Sequence, residues 1–202
     1  ARDPRAPMFT PAWQDVEQAI GGGPWLVQGG VIAVDWKEEK FQLTDFVEKQ
    51  HPRTAVGVTE EGILLLVTVD GRQAVSQGVS LFQMAEIMKT LGAKNAINLD
   101  GGGSTTMTIG GVTVNSPSDG KLRALANGLL VFGETMPLPA ADTYKIEPNP
   151  ATGNNFKLGD GQTFRVVDEM GMPLAPDIPV IWGTEEGRGF ISQAGYFVAF
   201  RT

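Results

Sequence analysis

Asp100 stands at the head of three consecutive glycines, in the run Asn98-Leu99-Asp100-Gly101-Gly102-Gly103-Ser104-Thr105-Thr106-Met107. A carboxylate beside a loop without side chains makes a place where backbone and ligand can touch, because glycine amides approach an oxygen closely and adopt positive φ. Gly101, Gly102 and Gly103, with the Ser104 amide, could form an anion-binding nest there. Read alone, the run is equally a tight strand-to-strand turn in which Asp100 caps its own backbone. Asp70, in Val69-Asp70-Gly71-Arg72, is a second carboxylate at the end of an apolar run. Paired carboxylates are the groups that move protons or stabilise positive charge. Arg53, Arg72 and Arg123 supply guanidinium forks, each able to meet two phosphate oxygens at once, or else to sit in an ordinary surface ion pair. Asn98, Ser104, Thr105, Asn115 and Asn127 are hydroxyl or phosphate binders by type, although asparagines beside turns commonly serve the turn itself.

Other chemistries fit less well. Ser104 as a triad nucleophile would need a histidine, and the chain holds one, His51, in a Gln-His-Pro-Arg context that reads as a loop. The glycine run lacks the Gly-Lys-Ser/Thr ending of a phosphate-binding P-loop. One histidine and no cysteine argue against zinc and rule out disulfides and thiolate catalysis. No cofactor is expected. Calcium or magnesium on Asp70, Asp100 or Asp119 stays open, since such ions need only oxygen ligands.

The elements that must position these groups can be read from periodicity. Residues 1–12 carry three prolines and read as an irregular lead-in, and Trp13 to Ile20 could form a short helix. Trp25-Leu26-Val27 and Val31-Ile32-Ala33-Val34 are two short strands around Gly29-Gly30. The mixed, charged stretch Lys37 to Gln50 reads as a solvated insertion. Thr54 to Thr59 and Ile63 to Val69 form a hairpin, and the apolar second run is expected to be a central strand buried on both faces. Ser80-Leu81-Phe82-Gln83 has capping-box form and opens a helix with Leu81, Met84, Ala85, Met88 and Leu91 on one face, closed by Gly92. Its methionines read as core filling. Ala96 to Leu99 is the strand that delivers Asp100. Thr105 to Ile109, Val112 to Asn115 and Gly128 to Phe132 complete a β-rich set, with Gly110-Gly111 as a hairpin turn.

Composition sets outer bounds. The 202 residues are 42% hydrophobic, enough for a sizeable core in one or two domains. Sixteen basic side chains against 23 acidic ones give a formal charge of −7, so bulk nucleic-acid binding is not expected and any phosphate must be met by a local arginine cluster. No apolar run reaches the roughly 18 to 20 residues of a membrane span, and no basic-then-apolar signal segment opens the chain.

Beyond Met136-Pro137-Leu138-Pro139 the composition shifts. Prolines at 137, 139, 148 and 150 punctuate a linker, followed by short runs at Thr163 to Val167, Val180 to Trp182 and Tyr196 to Phe200. This spacing suggests an Ig-like region acting as a spacer, although some 65 residues fall short of the roughly 100 of a full sandwich. The end of the chain resembles the bacterial Ig-like modules of surface proteins.

Four segments carry a wider resemblance. Pro52-Arg53-Thr54-Ala55-Val56-Gly57, Val69-Asp70-Gly71-Arg72, the Asp100 glycine run, and Asn115-Ser116-Pro117-Ser118-Asp119-Gly120 with Arg123 and Asn127 come in the order and spacing of the phosphodiester glycosidases. From about Ile20 to Phe132 the chain resembles that family, whose members remove a sugar such as N-acetylglucosamine from a sugar phosphodiester. The resemblance implies an α+β fold, with a mixed β-sheet core and few helices at 12–135, before the small all-β region at 136–202. It also implies catalytic roles for Asp70 and Asp100 at an oxocarbenium-like centre, with arginines holding phosphate. A phosphate monoester is a good leaving group, so a strong general acid is not demanded. The substrate would be a glycan or glycoconjugate, and the setting extracellular or in a bacterial cell envelope. A non-catalytic glycan-binding or envelope-structural module of the same fold is the alternative.

Two departures from the family pattern accompany the resemblance. An N-terminal portion with an Asn-Gly-x-Phe-Phe type segment is expected to be missing, which would leave the pocket incomplete or dependent on a second molecule. The Ala124-Leu125-Ala126 run before Asn127 replaces a more usual valine and reads as a packing change.

Overall fold

Hydrophobic alternation in three neighbouring segments builds a sheet whose one end carries Asp70, Arg72 and Asp100. The computed structural model describes residues 15–42, 44–133, 144–149, 159–175, 178–184 and 189–199. Its main sheet has five strands, β1 (Trp25–Gln28), β2 (Val31–Ile32), β3 (Arg53–Thr59), β4 (Leu64–Val69) and β5 (Ala93–Asn98), in the order β2-β1-β5-β3-β4. Every pairing is antiparallel, so the core sheet is not mixed as expected. The reason is topological: β4 and β5 run the same way, but β3 lies between them, and no parallel pair forms.

Helix α2 (Leu81–Thr90) connects β4 to β5 and covers one face of the sheet. Ser80 caps it: the Ser80 hydroxyl accepts from the Gln83 amide, and the Gln83 side chain accepts from the Ser80 amide. Leu81, Met84, Ala85 and Met88 are fully buried against Leu26, Val27, Ala55, Ala93 and Ala96, and the two methionines fill the core as expected. Gly57 is needed for this contact, since a Cβ there would lie 2.7 Å from the Met88 methyl and 3.0 Å from the Asn95 carbonyl.

The other face is half-buried at Thr54, Val56, Val58 and Ile97, and β4 closes one side of the sheet. β4 is therefore an edge strand and not the doubly buried central strand its apolar run suggests: Leu65, Val67 and Val69 pack toward the core, while Leu64 and Leu66 are exposed. The charged stretch before β3 is more than an insertion, because α1 (Thr44–Glu48) buries Val47 completely and stacks Phe46 on Phe41. Residues 15–20 form no helix, and Trp13 lies outside the described residues. The hairpin β6 (Thr108–Ile109) and β7 (Val112–Thr113) turns on Gly110 and Gly111 as expected, with shorter strands. Gly128 to Phe132 is in no sheet; Leu130, Val131 and Phe132 are strongly exposed.

In the C-terminal part, β8 (Lys145–Pro148), β9 (Gly161–Val167), β10 (Gly189–Ile191) and β11 (Tyr196–Ala199) form one antiparallel sheet ordered β10-β11-β9-β8. Val180 to Trp182 is not a strand. The Gln193 amide takes both main-chain groups of Trp182, at 3.0 and 2.9 Å, where a neighbouring strand would otherwise bond. Phe200, the expected end of the last strand, lies outside the described residues.

Candidate active site

Strand direction decides which residues meet. Because β3 is antiparallel to both β4 and β5, its start lies beside their ends: Arg53 pairs with Val69, Ala55 pairs with Asn98, and the Leu99 amide bonds the Thr54 carbonyl. Asp70 and Asp100 therefore leave the sheet at the same end at which His51, Pro52 and Arg53 enter it. The glycine loop folds back over that entry. The Gly102 amide donates to the Pro52 carbonyl at 2.9 Å, and a Cβ on Gly101 would sit 2.8 Å from that same oxygen.

Asp70 is held from one side. The Ser116 amide donates to both its carboxylate oxygens at 3.0 Å, and the Asn115 Nδ2 donates to one of them at 3.1 Å. Asn115 in turn donates to the Thr105 carbonyl and accepts from the Met107 amide, tying the carboxylate to the strand that follows the glycines. Burial raises the proton affinity of Asp70, and the bonds from Asn115 and Ser116 oppose that rise without cancelling it. A carboxylate can accept about four hydrogen bonds, so capacity for a further proton donor remains. Asp100, at the other strand end, is exposed.

Arg72 is set down on the glycine loop. It takes a left-handed conformation, φ 58°, which a non-glycine residue adopts at a cost. A Cβ on Gly102 would lie 3.4 Å from both terminal nitrogens of its guanidinium. Its Nη2 donates to His51 Nδ1 at 3.1 Å; among the described residues Arg72 forms no ion pair. Arg123 lies over the next glycine, bonded to Asp119 through Nε and Nη2 and to the Ser104 hydroxyl through Nη1. Its charge is matched by Asp119, whereas that of Arg72 faces an imidazole.

Several candidates turn away from the site. Arg53 is only 2% exposed, and its guanidinium donates to the carbonyls of Val79, Phe46 and Lys49 at 3.0, 2.6 and 3.1 Å while lying over the Phe46 ring. Burial and Arg72 push its pKa down to about 10, which leaves it charged at neutral pH. It braces the floor of the site, so its expected phosphate contact is corrected to a structural one. Asn98 is buried with its amide on the Gly23 carbonyl, and Thr105 is buried with its hydroxyl on Thr54. The expected amide nest does not form either. Gly102 to Ser104 make a 3-10 turn, and the amides of Gly102, Ser104 and Thr105 are bonded within the fold. Asn115 is at the site as a holder of Asp70. Asn127 lies on the exposed segment after Arg123, with no bond to the loop.

Sequence reasoning missed His51, Ser116 and Gln73. The Gln73 side chain bonds the Ser116 carbonyl and hydroxyl, locking the loop after β4 to the segment that holds Asp70. Ser116 acts through its main chain, which no side-chain pattern reveals. His51 was legible in the sequence as the single histidine, set aside as a triad partner because its context reads as a loop. Among the described residues no three acidic or histidine side chains gather as a metal site would require, and no helix is long and apolar enough to cross a membrane.

The phosphodiester glycosidase family model matches residues 3–132. Mouse N-acetylglucosamine-1-phosphodiester alpha-N-acetylglucosaminidase is 38% identical over 110 residues, covering 50% of this chain and 21% of the mouse protein. An SPbeta prophage-derived uncharacterised protein of Bacillus subtilis is 36% identical over 111 residues, 54% of this chain and 16% of its own length. The chain thus spans about a fifth or less of these relatives. The solved catalytic domain of zebrafish N-acetylglucosamine-1-phosphodiester alpha-N-acetylglucosaminidase, auto-inhibited by its pro-peptide, is 39% identical and aligns with a TM-score of 0.44, covering 49% of this chain and 34% of that one. The family match takes in both strand-end carboxylates, the glycine loop and all three arginines over more than half of the chain, and the chain belongs to the phosphodiester glycosidase family.

Proposed function

We propose that this chain is a hydrolase that releases a sugar from a sugar-phosphate diester in a glycan or glycoconjugate. The observation that carries the reading is the meeting of Asp70, Asp100 and Arg72 at one end of the sheet around the glycine loop. Arg72, whose charge no carboxylate among the described residues matches, takes the phosphate through its guanidinium fork. Arg123 and the Ser104 hydroxyl border the same loop. Asp100, exposed at the end of its strand, stabilises positive charge as the bond from the anomeric carbon to the phosphate oxygen lengthens. That bond breaks with its electrons on the phosphate, which leaves as a monoester. Water attacks the anomeric carbon, and its proton passes to Asp70, whose burial favours accepting it.

The finer parts of the reading stand on the same footing. Residues 12–135 form the hydrolase unit and 136–202 an Ig-like spacer, for which the four-stranded C-terminal sheet is the support. The setting is extracellular or in a bacterial cell envelope, where sugar phosphodiesters join glycans. The test is release of free sugar from a panel of sugar 1-phosphodiesters by the wild type and by Asp100→Asn. Wild-type turnover with a loss of about 100-fold or more in the variant, both folded, is the expected outcome. An unchanged rate in the variant removes the role of Asp100. Glycan binding without turnover would favour a non-catalytic module.

A further inference from the structure

We propose that His51 is a positioning residue, holding the Arg72 guanidinium on the glycine loop while its imidazole is neutral and releasing it when protonated. The proposal rests on the reading of Arg72 as the phosphate ligand and adds a pH control to it. Arginine has donors only, so in the 3.1 Å contact between Arg72 Nη2 and His51 Nδ1 the imidazole must accept. That fixes the tautomer: Nδ1 carries the lone pair and Nε2 the proton.

Both partners are held for this contact. His51 is anchored through its main chain by paired bonds to Val79, 3.1 Å from its amide and 3.0 Å to its carbonyl. Gly78, at φ 93°, packs directly on the His51 backbone, closer than any side chain would allow. Arg72 is held by its strained left-handed backbone and by the bond from its amide to the Gln77 carbonyl. Both backbones are thus held where Arg72 Nη2 and His51 Nδ1 meet, with the exposed guanidinium lying between the imidazole and Gly102.

Protonation removes the acceptor and adds a charge among cations. The groups around His51 are Arg53 on β3, Arg72 on the loop after β4, and Lys49 beside α1; on α1 itself, the Asp45 main-chain carbonyl accepts a hydrogen bond from the imidazole. Burial first, then Arg53 and Arg72, lower the His51 pKa, and the bond with Asp45 opposes them. His51 is therefore neutral at pH 7, and its folded-state affinity for a proton is below that of the unfolded chain. The seat for Arg72 is present above the ordinary histidine pKa and is lost as pH falls through the lowered value.

The single histidine makes this directly measurable. In the whole chain, labelled with nitrogen-15, the imidazole spectrum should show the Nε2–H tautomer with a midpoint below 6.5, and the Arg72 guanidinium signal should broaden through that midpoint. Inorganic sulfate, a tetrahedral dianion that keeps its charge from about pH 5 to 8, probes the site itself. Wild-type affinity for sulfate should fall through the His51 midpoint. His51→Asn, whose Oδ1 can replace Nδ1 as a non-titrating acceptor, should keep the affinity and lose the acid limb. His51→Ala should bind sulfate about fivefold to tenfold more weakly at pH 8. An Nδ1–H tautomer, a midpoint at or above 6.5, or a His51→Ala variant equal to wild type would overturn the proposal. The expected histidine and Arg72 spectra without sulfate binding at any pH would leave the seat standing and remove the phosphate reading.

Discussion

Replacing Arg53 by methionine separates a brace from a ligand. The guanidinium makes three hydrogen bonds to carbonyls of Val79, Phe46 and Lys49 and lies 5.1 Å from the centre of the Phe46 ring. Bonds from a charged donor contribute about 1.5–3 kcal/mol each, and the ring contact about 1 kcal/mol. Removing a buried charge also removes its desolvation cost, and methionine refills much of the volume, so the net loss should be about 3–5 kcal/mol. In a protein of this size that corresponds to a fall in Tm of roughly 10 °C. Urea unfolding followed by tryptophan fluorescence reads it directly. Arg53→Lys should recover only part, because one ammonium cannot reach carbonyls on both α1 and Val79 with the geometry of a fork. A loss below about 1 kcal/mol, together with weaker sulfate binding, would refute the reasoning and return Arg53 to the phosphate.

Other perturbations test the geometry around the site. Gly62→Ala and Gly78→Ala both place a side chain at positive φ, 84° and 93°, but the first meets open space and the second the His51 backbone. Denaturant unfolding should show a loss of about 1 kcal/mol for Gly62→Ala and about 3 kcal/mol or more for Gly78→Ala; equal losses would deny the close packing under His51. Asp70 binds its proton more tightly folded than unfolded, so the wild type should lose stability relative to Asp70→Asn as pH rises from the ordinary carboxylate pKa of 3.8 through the raised one. Unfolding curves at a series of pH values check the sign, and a wild type that gains stability relative to Asp70→Asn as pH rises would contradict burial as the cause.

Local rules carried the reading furthest where one residue decides one feature. The Ser80 and Gln83 capping box, the Met84 and Met88 core face and the Gly110-Gly111 turn follow from short-range pattern alone. Pattern failed where the neighbour decides. The run Leu64 to Val69 is apolar enough for a central strand, yet the sheet ends at it, and periodicity holds no information on what lies alongside. Gly128 to Phe132 has strand composition but no pairing partner among the described residues. At the site, residue types identified Asp70, Arg72 and the glycines, while orientation separated them from Arg53, Asn98 and Thr105, which face inward. The glycine amides were mistaken for a nest because the sequence does not show that the Pro52 carbonyl already occupies one of them.

The central claim is that the end of the sheet where Asp70, Asp100 and Arg72 meet receives a phosphorylated sugar. A crystal structure of the Asp100→Asn variant soaked with a sugar 1-phosphodiester tests it in one measurement. The account predicts a phosphate within hydrogen-bond distance of the Arg72 guanidinium and the anomeric carbon facing residues 70 and 100. A ligand bound elsewhere on the chain, with Arg72 still against Gly102 and free of phosphate, would contradict it.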